Sequence, residues 1–286
     1  MKLSLIPMVI CLILTYKFQN ANLDEIISTE RAFSDYAKLT TTKQAFLKFM
    51  APNGIKFREG EARNAISLFE ELPDAESKDL LQWWPVFADI SSSHDFGYTY
   101  GPWQYFAIKT DTIPTSTGMY SSVWQKQNNG EWKNLVDLGV AFRHNFTVSS
   151  KVDSPGRPLK TTRSGINISE EKKDLLLWDN KYSIELNQLS VSCISDFFDF
   201  NGRLHRPGEL PITGRAAIKS YNDGGKKFVF NTLNVEMAKA ADMAHTYGKV
   251  AVSLPNGRII NANYIRIWRK EDGESWKIVL DVIGVS

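Results

Sequence analysis

Apolar and polar residues alternate with a period of two along several stretches of this chain and recur at helical spacing along others. The two patterns appear in the same order twice. Residues 118 to 140 read GMYSSVWQKQNNGEWKNLVDLGV, and residues 262 to 285 read ANYIRIWRKEDGESWKIVLDVIGV. Trp124 and Trp132 are spaced as Trp268 and Trp276 are, and Asp137 follows Trp132 as Asp281 follows Trp276. Between each tryptophan pair lies a turn dipeptide, Asn129-Gly130 or Asp272-Gly273. Asn, Asp and Gly tolerate positive φ, so each segment predicts a β-hairpin between strands rich in Val, Ile, Tyr and Trp.

The correspondence extends backward along the chain. Tyr98-Thr99-Tyr100-Gly101 matches His245-Thr246-Tyr247-Gly248, Asp95 matches Asp242, and Asp89 matches Glu236. FMAPNGIKFREG at 49 to 60 matches FFDFNGRLHRPG at 197 to 208, and Ala65-Ile66 matches Ala217-Ile218. Ordered matches over four segments indicate an internal duplication. Each copy predicts a long helix (23–50 and 172–198), a short hairpin, a second helix (about 62–71 and 216–221) and then several long strands. Helices followed by a run of strands indicate an α+β domain with helices on one face of an antiparallel sheet. The expected organisation is an N-terminal segment over 1–21, a first domain over 22–142, a linker over 143–171 rich in Ser, Thr, Gly and Pro, and a second domain over 172–286.

The N-terminal segment changes where the protein is expected to work. Lys2 is followed by an uncharged run from Leu3 to Tyr16 and then by polar residues, the order of a secretory signal peptide with Ala21 as a cleavage position. The run is shorter than the ~20 residues of a membrane span, although a retained anchor is the alternative reading. Export to the periplasm or the extracellular space is therefore expected, without stable membrane insertion. Cys11 would leave with the signal, and Cys193, beside apolar residues in LSVSCISDFF, reads as a buried structural thiol. Asn145 and Asn167 open glycosylation sequons, relevant only in a eukaryotic secretory host. With 43% hydrophobic and 23% charged residues the chain is globular, and a net charge of +2 offers no basic excess for a nucleic-acid partner.

The segments FxxxNG, WWPVFADISSSHDFGYTYGPW and YSSVWQKQNNGEWKNLVDLGV, behind a helix, resemble the nuclear transport factor 2-like superfamily and, within it, the SnoaL-like exported bacterial proteins of unknown function. The resemblance covers nearly the whole chain after residue 21, twice. It implies two cone-shaped domains, each a curved antiparallel sheet wrapped around helices with a pocket at the open end. It also implies an intramolecular pseudo-dimer in which each sheet covers the other, with a homo-oligomer as a further possibility. The superfamily holds ketosteroid isomerase, cyclases, dehydratases, hydrolases and non-catalytic binding modules, so the fold does not choose a function.

Strand alternation sorts the candidate residues. With two-residue hairpin turns, Trp124 shares a face with Leu135 and Asp137, while Trp132, Val136 and Leu138 take the other. In the second copy Trp268, Val279 and Asp281 oppose Trp276, Ile278, Leu280 and Val282. The uniformly apolar set is expected on the helices. A β-bulge would exchange these assignments. Asp137 and Asp281 admit two readings: a general base with a raised pKa in an oily pocket, as in ketosteroid-isomerase-like enzymes, or a structural carboxylate paired with a cation. His245 is a third catalytic candidate. Tyr98, Tyr100, Trp124, Tyr247 and Trp268 are candidates for ligand contact, against the plainer reading of strand aromatics. Asp89 and Glu236 admit a pocket carboxylate or, as the plainer reading, a solvent-facing residue near a strand end; Asp95 and Asp242 are expected in turns; Trp83 or Trp84 could stack on a flat ligand, with at most one of them in a cavity. The chain has no phosphate-binding glycine loop and no nucleophile elbow. Its four scattered histidines show no metal-ligand spacing, so no cofactor and no metal are expected. The sequence thus favours a small-molecule-binding or accessory module, with a cofactor-independent isomerase, dehydratase or hydrolase as the alternative.

Overall fold

In a computed structural model, residues 6–74, 78–155, 165–188, 194–271 and 274–285 are described, with side chains from residue 22 onward. Asp272-Gly273 and Cys193 lie outside the described residues. The first half opens with α1 (Ile6–Leu39) and α2 (Thr42–Phe49) and continues through β1 (Met50–Arg58), β2 (Glu61–Asn64) and α3 (Ala65–Glu70). It closes with β3 (Leu80–Trp83), β4 (Phe87–Ile90), β5 (Phe96–Phe106), β6 (Ser116–Lys126) and β7 (Trp132–Ala141). The second half repeats this order with α4 (Ile168–Gln188), β8 (Phe198–His205), β9 (Ile212–Thr213), α5 (Arg215–Lys219), β10 (Lys227–Met237), β11 (Met243–Ser253), β12 (Ile259–Arg269) and β13 (Lys277–Gly284). The class is α+β, with one helix-covered sheet per half.

The strand orders are β2-β1-β7-β6-β5-β3, with β4 also on β5, and β10-β11-β12-β13-β8-β9. All neighbours are antiparallel except β1 with β7 and β8 with β13, which run parallel in the two halves alike. The single strand β10 corresponds to β3 and β4. In the first half Pro85, which has no amide hydrogen to donate, lies at the break between them. In both copies this partner strand presses onto β5 or β11 at a glycine. A Cβ on Gly101 would collide with the Trp84 carbonyl, and one on Gly248 with the Asn231 carbonyl, which is why the repeat carries glycine there.

The long helices differ from their predicted spans. The first breaks at Thr40-Thr41, where the Thr41 hydroxyl accepts a hydrogen bond from the Gln44 amide (3.1 Å) and starts α2. The second starts earlier than predicted because the Asn167 side chain accepts from the amides of Ser169 and Glu170. It ends at Gln188, and a 3-10 turn at Ser195–Phe197 leads into β8. Among the described residues no helix is long and apolar enough to cross a membrane.

Three apolar cores result. One packs α1, α2 and α3 on the inner face of the first sheet through Ile26, Phe33, Phe46, Trp83, Trp124 and Trp132. Another packs α4 on the second sheet through Leu175, Tyr182, Phe198, Trp268 and Trp276. A third belongs to both halves: Tyr98, Met119, Val136, Leu138 and Val140 meet Met243, Tyr247, Ile265, Ile267, Leu280 and Val282. The outer faces of the two sheets therefore cover each other. The loop ends are tied reciprocally, Ser92 donating its amide to Asp242 (2.8 Å) while Asp95 accepts from the Lys239 amide (3.4 Å).

The facial assignments are corrected by two irregularities in the first hairpin and by the register and bulge of the second. Lys126 pairs with Trp132, so the first turn has three residues at its tip, Asn128 to Gly130, with Gly130 at φ 87°. A bulge then falls between Trp124 and Val123, leaving Leu135 as the extra residue. The turn and the bulge cancel beyond Val136. Trp124, Trp132 and Asp137 consequently share the inner face, and Leu135, Val136 and Leu138 face the other domain. The second copy bulges at Val279 in the same way, which puts Trp268, Trp276, Ile278 and Asp281 inside and Leu280 and Val282 outside. The uniformly apolar set seals the domain interface and does not pack on the helices.

Candidate functional site

The first cone holds a cavity of about 390 Å³ between α2, β1, β3 and the inner face of β5, β6 and β7. Its apolar wall comes from Phe46, Leu81, Trp83, Trp103 and Tyr105, and its polar groups are Lys56, Ser116, Tyr120 and Asp137. The space exists because Gly118 and Gly139 present no side chain. The Trp103 indole lies against both, and a Cβ on Gly118 would meet its ring at 2.8 Å. The buried Trp103 Nε1 has no hydrogen-bond partner among the described residues.

Asp137 is buried and forms an ion pair with Lys56, its neighbour across the parallel β1–β7 pairing. It also accepts from the Ser122 hydroxyl (3.1 Å). The Lys56 ammonium lies 4.7 Å from the Phe46 ring centroid, which keeps the cation between a carboxylate and an aromatic face. Asp137 thus enters the cavity as half of a neutralised pair.

Behind this wall lies Glu30 on α1, fully buried and absent from the sequence-derived candidates. It accepts from Trp83 Nε1 (2.6 Å), Trp124 Nε1 (2.9 Å) and the Thr99 hydroxyl. Burial pushes its carboxyl up to about 7, against the pull of those donors, and the charge of Asp137 adds to the rise. Tyr120 is held well above the ordinary tyrosine value, by burial first and then by the negative charge of Glu30.

The second cone repeats the scaffold with other chemistry. Asp179 on α4 takes the place of Glu30 and accepts from Thr232 (2.6 Å), Thr246 (2.8 Å), Tyr264 (3.1 Å) and Arg266 Nη1 (2.8 Å). Asp281 is fully buried and accepts from the Tyr182 hydroxyl and Arg206 Nη2, both at 2.7 Å. Burial alone would raise the Asp281 carboxyl, but Arg206 and Arg266 outweigh it and hold the group below the usual carboxylate range. A general base with a raised pKa is excluded there.

The remaining sequence candidates fall elsewhere. Tyr98, Tyr100, Tyr247 and His245 lie at the interface between the two sheets, where His245 stacks between Phe96 and Tyr247 at centroid distances of 5.8 and 5.9 Å. His245 is fully buried, and burial lowers its imidazole to about 3, so it stays neutral. Trp124 and Trp268 are core residues whose indole nitrogens bond inside their own domains, Trp268 to Thr246 at 3.1 Å. Asp89 is buried and paired with Arg269 (3.4 Å), not solvent-facing, and Glu236 pairs with Lys172 (2.8 Å). Trp83 lines the cavity and Trp84 does not. Of the sequence-derived candidates, Asp137 and Trp83 border the cavity. Tyr120 shares the face of Asp137 by simple alternation from Trp124, and Trp103 and Lys56 were legible only once the strand pairing was known. Among the described residues no group of His, Cys, Asp and Glu is arranged to hold a metal ion.

No family model and no curated protein matches the chain. Solved structures similar to it include an NTF2-like protein with a cystatin-like fold from Novosphingobium aromaticivorans (14% identity, 41% of this chain and 83% of that one, TM-score 0.36). A ketosteroid isomerase-like protein from Erwinia carotovora atroseptica matches at 16% identity over 41% of this chain and 97% of its own, with a TM-score of 0.36. A protein from Catenulispora acidiphila in complex with S-DNPA matches at 12% identity over 41% and 93%, with a TM-score of 0.33. Each aligns with about two-fifths of this chain and most of its own length.

Proposed function

We propose that the protein is an exported small-molecule-binding module whose site is the cavity of the first cone. The observation that carries this reading is the cavity itself: about 390 Å³, walled by aromatic and aliphatic side chains, with a few polar groups at one side. Ligand sites typically have volumes of about 300–1,000 Å³ and this kind of lining. A ligand would lay an apolar, flat body against Trp83, Trp103 and Tyr105 and turn a polar group toward Tyr120 and the Lys56–Asp137 pair. Export rests on the charged-then-apolar order of residues 2–16. The mass of protein purified from its own host tests it: loss of about the first 21 residues agrees, and an intact N-terminus does not.

The binding reading has a variant that removes no partner. Gly139 does not have a positive φ, and a Cβ there meets Trp103 no closer than 3.5 Å. The second copy has Ile283 at the corresponding place, opposite Tyr264 as Gly139 is opposite Tyr120. Gly139→Ile is therefore expected to fold and to fill the cavity. Compounds that raise the melting temperature of the parent in a thermal-shift screen should lose that effect in G139I. Unchanged shifts would move the site elsewhere.

Asp137 and Tyr120 on one cavity support a second reading, a cofactor-independent isomerase, dehydratase or hydrolase with Asp137 as base. The Lys56 pairing opposes it, because Lys56 and Ser122 already donate to both oxygens of the Asp137 carboxylate. For any compound found to be turned over, Asp137→Asn separates the two: catalysis by Asp137 requires a loss of roughly 10²–10⁴-fold in kcat with KM little changed. A small change in kcat removes Asp137 from that role.

A further inference from the structure

The two cones differ most at one position. Ser122 on β6 stands opposite Asp137 and opposite Thr99, and Arg266 on β12 stands opposite Asp281 and opposite Thr246. Register therefore makes Ser122 and Arg266 equivalent. By the same pairing Tyr264 corresponds to Tyr120, Phe230 to Trp83, Val250 to Trp103 and Ile283 to Gly139.

Arg266 is fully buried. Its guanidinium carbon lies 4.1 Å from the Phe230 ring centroid, 4.3 Å from that of Tyr264 and 4.5 Å from that of Tyr182. Nη1 donates to Asp179 Oδ1 (2.8 Å) and Ser183 Oγ (3.0 Å), and Nε is 3.6 Å from Asp281 Oδ1. Phe230, Tyr264 and Asp281 are the counterparts of Trp83, Tyr120 and Asp137, three residues that line the cavity of the first cone. The head group of Arg266 thus sits against the same wall that bounds the first cavity.

We infer that the second cone is a guanidinium-binding site occupied permanently by the chain's own Arg266, and that it takes no external ligand in the intact protein. Three aromatic faces and two carboxylates form a cage for a planar cation. Arg206 supplies the second positive charge, so two carboxylates meet two guanidiniums. The residue at position 266, with Val250 and Ile283 filling the flanks, decides that this cone is closed where the first is open. The inference does not depend on what the first cone binds.

Chemical rescue tests it. Arg266→Ala removes the guanidinium and leaves Asp179 and the three rings in place. The R266A protein should melt well below the parent. Millimolar ethylguanidinium should raise its melting temperature by several degrees and bind with a stoichiometry of one per chain in calorimetry. Butylammonium, a cation of similar reach without the planar fork, should not, and the parent should respond to neither. Should R266A be recovered only unfolded, the same contrast is read as refolding yield with each cation. Equal effects of the two cations, no effect of either, or binding of ethylguanidinium to the parent's second cone would each overturn the assignment.

Discussion

Replacing Asp179 by alanine is expected to cost roughly 3–5 kcal/mol, the usual consequence of deleting one partner of a buried ion pair. The carboxylate is fully buried and accepts four hydrogen bonds, from Thr232, Thr246, Tyr264 and Arg266. Its removal strands a buried guanidinium and three hydroxyls at once. Denaturant unfolding of D179A measures the loss. The double variant Asp179→Leu with Arg266→Met should recover most of it, because an apolar filling of similar volume removes both charges together. If D179A loses under about 1 kcal/mol, the network is not what holds the second cone together.

A second large effect follows from the two interface imidazoles. His205 and His245 are both lowered to about 3, mainly by burial, and the flanking Arg203 and Arg206 lower His205 further. Among the described residues neither ring nitrogen of His205 has a hydrogen-bond partner. Their folded values lie below the usual 6.5, so the unfolded chain binds more protons than the folded one below that pH. The stability they contribute is fully present above pH 6.5 and falls as the pH drops toward 3. At about 1.4 kcal/mol per pKa unit, each histidine removes on the order of 2 kcal/mol at pH 5, and the pair about 4. Glu30 acts in the opposite sense. Its folded value, about 7, exceeds the usual 4.5, so its contribution is present at low pH and is lost as the pH rises through 7. The parent should therefore show a shallow net loss between pH 7 and 5. His205→Phe combined with His245→Phe should be more stable at pH 5 than at pH 7, and Glu30→Gln should steepen the acid loss. Urea unfolding at the two pH values checks this. A double histidine variant with the parent's pH profile would show that these imidazoles are not buried neutral in solution.

The duplication was legible because both halves share the same marked residues: the tryptophans around each hairpin, the Tyr-Gly pair under the neighbouring strand, the Asn-Gly entry to the first short strand. Helix ends were less legible because caps decided them. Thr41 divides one predicted helix and Asn167 extends another. The site was hardest to read. A three-residue turn and a bulge, each invisible to strict alternation, exchange Leu135 with Trp132 between the faces. Asp137 and Tyr120 keep their predicted face because the two cancel, and Lys56 and Trp103 join them only through the β1–β7 and β5–β6 pairings. Glu30 and Asp179 sit on helices with no distinguishing local pattern. Their importance lies in fully buried carboxylates meeting strand residues far away in sequence, a fact of tertiary packing. The aromatic candidates Tyr98, Tyr100 and Tyr247 carry the right chemistry for a pocket, yet the outer face they occupy is spent on joining the two halves.

Xenon placed into crystals of the parent protein tests the asymmetry of the two cones whatever the natural ligand is, since the gas settles in open apolar cavities. Xenon density beside Trp83, Trp103 and Gly139, with none between Phe230, Tyr264 and Tyr182, is the expected result. An unoccupied first cone, or xenon where the Arg266 guanidinium should be, would contradict an open first site and a second one filled by the chain itself.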